Sequence, residues 1–133
     1  MIIKSLKLYC ICAVGCLYSC SEKIDLAHLQ GTYKGTFIHT DMLSSFYPPP
    51  SEEALVVFNS NTYQASPKGS GTFDILTENK IKFKDQNIWT ANFDWSTILN
   101  GEYSYKLKGD SLFLQKENGS NIYEYRLKRT EQN

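Results

Sequence analysis

The sequence predicts an all-β protein: a single small antiparallel up-and-down β-barrel of eight to nine strands behind a processed leader. Three observations carry this. Apolar and polar residues alternate with a period of two beyond residue 30. Turn-forming pairs such as Asn100-Gly101, Gly109-Asp110 and Asn118-Gly119 separate the alternating runs. All four cysteines, Cys10, Cys12, Cys16 and Cys20, lie at or before residue 20, so the domain beyond must fold on hydrophobic burial without a disulfide.

The leader comes first. Residues 1–19 have a basic start at Lys4 and Lys7, an apolar run from Leu8, and small residues before a cut, the order of a secretory signal. The 12 residues from Leu8 to Ser19 reach only about 18 Å as a helix, short of the roughly 30 Å of a bilayer core. Leu17-Tyr18-Ser19-Cys20 resembles the lipobox of bacterial lipoproteins, although Tyr18 stands where a small residue is more usual. That resemblance implies cleavage before Cys20, a diacylglyceryl group on its sulfur, and acylation of the new amino terminus, by palmitate or a similar chain. One acyl chain anchors marginally and two or more anchor stably, at about 0.8 kcal/mol per buried methylene. Ser21 after the cysteine, rather than aspartate, implies by the same resemblance an outer-membrane destination, on a periplasmic or surface face.

Residues 20–28 read as a polar lipidated tether and residues 29–133 as one barrel domain. Loss of Lys4 and Lys7 leaves 12 basic against 14 acidic side chains in the mature chain. Such a balance favours neither nucleic acid nor an acidic polymer as a partner.

In the first strand, Gly31 to Thr40, Tyr33, Gly35, Phe37 and His39 share one face. Further strands are expected at Ala54 to Phe58, Asn61 to Ser66, Gly71 to Leu76, Lys80 to Lys84 and Asn87 to Phe93. Lys80, Lys82 and Lys84 alternate with Ile81 and Phe83, as a solvent-facing row would. Glu102 to Lys108 sets Tyr103, Tyr105 and Leu107 inward, Ser111 to Lys116 follows, and Asn121 to Lys128 sets Tyr123, Tyr125 and Leu127 inward. A slip of one residue would turn every tyrosine outward, so the register is well specified. Two segments interrupt the pattern. Thr40 to Glu53 reads as a stiff loop around Phe46, Tyr47 and Pro48 to Pro50, and Asp94 is placed to cap one helical turn over Trp95 to Leu99. Closure into a barrel removes exposed strand edges, with a sandwich as the other way to arrange these strands.

Gly31-Thr32-Tyr33 opening the first strand, the long loop after it, and the late runs Leu99 to Tyr105, Gly109 to Leu112 and Tyr123 to Leu127 together resemble the small lipocalin-like lipoproteins of diderm bacteria. The resemblance covers roughly Leu29 to Arg129 and implies the barrel more than any activity.

For function, the aromatic inner face suggests a cup in which Tyr33, Phe37, Tyr103, Tyr105, Tyr123 and Tyr125 bind a small apolar or aromatic ligand, with Trp89 and Trp95 at the mouth and Pro48 to Pro50 as a lid. The alternative is an interior packed by those rings and an envelope protein-interaction or inhibitor module that works through its loops. No catalytic residue is assigned. There is no G-x-S-x-G elbow, and His39 is the only well-placed base. His39 and Asp41 make an H-x-D pair without a third ligand, so no metal and no cofactor are expected.

Overall fold

The computed structural model describes residues 26–45, 47–92 and 94–130. The expected signal segment and Cys20 therefore lie outside the described residues. A one-turn helix, α1 (Leu26–Leu29), precedes eight strands: β1 (Gly31–Asp41), β2 (Ser51–Asn59), β3 (Thr62–Ser66), β4 (Ser70–Thr77), β5 (Lys80–Asp85), β6 (Gly101–Lys108), β7 (Ser111–Asn118) and β8 (Asn121–Arg129). Each strand pairs antiparallel with the next, and β8 returns to β1, which closes an eight-stranded up-and-down barrel. Among the described residues no helix is long and apolar enough to cross a membrane.

The alternation sets the wall. Tyr33 and Phe37 on β1, Tyr103 and Tyr105 on β6, and Tyr123, Tyr125 and Leu127 on β8 are buried, whereas Lys34, Glu102, Ser104, Arg126 and Lys128 between them are exposed. Rings from different strands meet inside: Phe58 lies 5.1 Å from Phe73 and 6.2 Å from Phe83, centroid to centroid, and Tyr103 lies 5.7 Å from Phe83 and 6.1 Å from Tyr125. Such edge-on and tilted pairs suit aromatic quadrupoles. Gly35 lets β1 and β8 approach, because a Cβ there would sit 1.9 Å from the Arg126 carbonyl oxygen.

The barrel has two unlike ends. One carries two-residue turns at Ser60-Asn61, Glu78-Asn79 and Gly109-Asp110, together with α1. Gly109 has φ 59°, the left-handed conformation that such a turn favours. The other end carries the tight Gly119-Ser120 turn, a short connection from β3 to β4, and both long connections, from Asp41 to Ser51 and from Asp85 to Gly101.

The chain between Asn87 and Asn92 differs from expectation, since it forms no strand. β5 pairs directly with β6, Ile81 opposite Tyr103 and Phe83 opposite Gly101, so no edge is vacant for another strand. Asp85 also draws this segment back on itself by accepting hydrogen bonds from the side chains of Asn87 and Trp89. The expected helical turn is a single 3-10 turn, Trp95–Thr97, capped by Asp94, whose Oδ1 accepts from Ser96 N at 3.0 Å.

Candidate functional site

At the turn-rich end the barrel is shut. Leu29 of α1 is fully buried. Gln30 fastens α1 to the β2–β3 turn: its Oε1 accepts from Ser60 N at 2.6 Å while its Nε2 donates to the carbonyls of Leu26 and Ser60. Arg129 donates to the Tyr33 hydroxyl from Nε at 3.2 Å and from Nη2 at 2.6 Å, and also to the His28 carbonyl. Tyr33 is thus a structural plug at this end. Burial pushes its hydroxyl pKa up, against the opposing pull of Arg129. Tyr105 lies towards the same end, its hydroxyl 3.4 Å from the Thr77 carbonyl.

Phe37, Tyr103 and Tyr125 fill the middle. Tyr125 is almost wholly buried, its ring 4.8 Å from that of Phe37. Its hydroxyl is the one buried side-chain polar atom among the described residues without a hydrogen-bond partner. Burial is the main force raising the pKa of Tyr103, Tyr125 and Tyr63, so these phenols stay neutral.

The other end holds the remaining candidates. It is open in the sense that its two long loops are exposed, although Leu99 of the β5–β6 connection is buried there and accepts from the Tyr63 hydroxyl at 2.6 Å. Four inward side chains stand side by side across neighbouring strands: His39 opposite Tyr123, Tyr123 opposite Lys116, and Lys116 beside Tyr103. His39 stacks on Tyr123 at 4.8 Å and shares a 2.8 Å hydrogen bond with Asn121 Oδ1. Lys116 Nζ lies 4.9 Å and 5.2 Å from the ring centroids of Tyr103 and Tyr123 and donates to the Asn100 carbonyl at 2.8 Å. Burial lowers its pKa, because desolvation penalises the ammonium. The sequence reading passed over Lys116, although its parity with the buried Leu112 and Leu114 marks it as inward.

Beside His39 is a cavity of about 490 Å³, lined by His39, Thr40, Asp41, Ser44 and Pro48 to Pro50. Trp89 is half-buried and donates from its indole to Asp85. Asp85, at the end of β5, is a hydrogen-bonding hub for this end. Burial opposes its ionisation, yet hydrogen bonds from Trp89, Ser70 N and Asn87 outweigh that and hold its pKa below the ordinary carboxylate range. Large apolar side chains at the same end face solvent: Met42, Leu43, Tyr47 (94% exposed), Ile88 (100%) and Trp95. Of the eight expected ligand-binding residues, then, Tyr123, Trp89 and Trp95 belong to the open end. Tyr33 and Tyr105 belong to the shut end, and Phe37, Tyr103 and Tyr125 to the packed middle, where Tyr103 also touches Lys116.

Among the described residues no group of three or more His, Cys, Asp or Glu side chains is placed to hold a metal ion. Comparison with protein-family models, with curated proteins and with solved structures finds no match for this chain.

Proposed function

We propose that this protein is a lipid-anchored lipoprotein of the cell envelope, held on the outer membrane by acyl chains on Cys20, and that its barrel is a non-enzymatic interaction module working through the open end. One observation carries the reading. The exposed apolar side chains Met42, Leu43, Tyr47, Ile88 and Trp95 all sit on the two long loops of that end, above an interior already occupied by contacting rings. Several large apolar side chains exposed at one end of a small domain point to an interaction site there. Aromatic anchors such as Trp95 and Tyr47 are the side chains that dominate binding energy in protein interfaces. The favoured partner is an envelope protein that buries these loops.

A photoreactive amino acid placed at Ile88 in the native envelope should give one discrete protein adduct, and the same residue placed at Asn61, on the shut end, should give none. Trp95→Ser should abolish the adduct at position 88. Equal labelling from both ends would overturn the reading.

The cavity beside His39 favours a second reading. At about 490 Å³ it falls within the range of small-molecule sites, and the half-buried ammonium of Lys116 near the same mouth suits an aromatic ligand that carries a negative group. Titration of such a carboxylate against tryptophan fluorescence tests this. A saturable change that Lys116→Met removes supports it, and no change at millimolar concentration rules it out.

A further inference from the structure

The outer wall formed by β1, β8, β7 and β6 carries charges that are far apart in sequence and adjacent in the fold. One cross-strand row runs Lys34, Lys128, Ser111, Lys108. The next runs Thr36, Arg126, Phe113, Lys106. Arg126 and Lys106 therefore flank Phe113, which is 44% exposed, with Lys108 and Lys128 on its diagonals and Lys34 beyond Lys128.

Lys34 stands directly opposite Lys128 in the β1–β8 register. Facing pairs have Cβ atoms about 5 Å apart, and like charges there destabilise a sheet. Arg126 pairs with Glu124 at 2.9 Å, but none of the four lysines makes an ion pair among the described residues. The nearest acids are otherwise engaged or offset. Asp110 bridges Arg129 at 3.6 Å, and Glu53 lies opposite Thr36 along a shallow groove that Lys34 also lines.

On β5 the setting differs: Lys82 stands between Asp74 of β4 and Glu102 of β6, Lys84 stands opposite Thr72, and Lys80 donates to the Ser104 hydroxyl.

The tether reaches the barrel at the end of this wall. α1 leads directly into β1, held by Arg129 of β8 on the His28 carbonyl and by Gln30 on the neighbouring β2–β3 turn. From Cys20 to Leu26 the chain spans at most about 20 Å. We infer that the β1–β8–β7–β6 wall lies against the membrane that holds the anchor, with Lys34, Lys106, Lys108, Arg126 and Lys128 on phosphate-bearing anionic lipid headgroups and Phe113 inserted among them. This inference rests on lipidation at Cys20. Basic side chains near an anionic leaflet are attracted over roughly a Debye length, and an exposed aromatic ring suits the interfacial zone.

The test uses the full chain, processed and lipidated, carrying Phe113→Cys labelled with a polarity-sensitive fluorophore. It is reconstituted in vesicles of phosphatidylcholine alone or with phosphatidylglycerol. Flotation with the neutral vesicles reports the anchor separately from the wall. With phosphatidylglycerol the emission should shift to the blue and accessibility to an aqueous quencher should fall about threefold. The change should vanish in Lys34→Glu/Lys128→Glu and at high salt, but persist in Lys82→Glu. Equal accessibility on both vesicles, or loss of the change in Lys82→Glu as complete as in the double variant, would overturn the inference.

Discussion

The two ends of this barrel are built from the same alternating strands yet hold opposite kinds of residue. At the shut end, short turns leave little loop to order, Leu29 is fully buried, and Gln30, Arg129 and Tyr33 tie α1, β1, β2 and β8 together. At the open end, two long connections expose Ile88, Tyr47 and Trp95, and polar groups such as Lys116 and His39 stand among the rings. Under the proposed function, recognition falls to the exposed loops of one end, while buried side chains such as Leu29 at one end and Leu99 at the other carry stability. Substitutions in these two groups should therefore affect different measurements.

The largest effect is expected from Leu29→Ala. It should lower unfolding free energy by about 3 kcal/mol, within the usual range for a fully buried leucine, when measured by urea denaturation. A cost below about 1 kcal/mol would show that the shut end is not part of the core. Tyr33→Phe should cost about 1 to 2 kcal/mol by removing the acceptor of two Arg129 hydrogen bonds. Tyr125→Phe sharpens the comparison from the middle of the barrel. It removes an unpartnered buried hydroxyl, so stability should rise by about 1 kcal/mol; a loss instead would reveal a bound water or ligand.

Asp85 supplies a pH test of the open end. Its pKa in the folded protein lies below the ordinary carboxylate value. Its contribution is therefore fully present above the unfolded pKa and is lost as pH falls through the lower folded one. Trp89 fluorescence should accordingly change in that acidic window, before global unfolding seen by circular dichroism, and Asp85→Asn should remove the step. The smallest stability effect is expected from Ile88→Ser, within about 0.5 kcal/mol, although it should impair binding at the open end.

Much of the wall was legible in the sequence because a buried strand face leaves a period of two. Tyr33 and Phe37, Tyr103 and Tyr105, and Tyr123, Tyr125 and Leu127 were all placed inward by parity alone, as they are found. Asn87 to Phe93 misled because a β-like composition says nothing about whether an edge is free to receive a strand. Here β5 and β6 had already paired. Depth along the axis was equally hidden: parity assigns Tyr33 and Tyr123 to the same side of the wall but not to opposite ends of it. The basic wall escaped composition for a related reason, since Lys34 and Lys128 become neighbours only through the register of β1 with β8.

That closing register has a consequence for how the chain acquires its shape. Every other pairing joins neighbours in sequence, so seven hairpin contacts form as the chain emerges, whereas β1 waits for the last segment to be delivered. Pairings of such long sequence separation are the slow ones. Until β8 arrives, β1 and β7 are both unsatisfied edges. A chain whose first strand is released well before its last thus passes through an open sheet, vulnerable to foreign strands, and becomes inert to them only when Tyr33 meets Arg129.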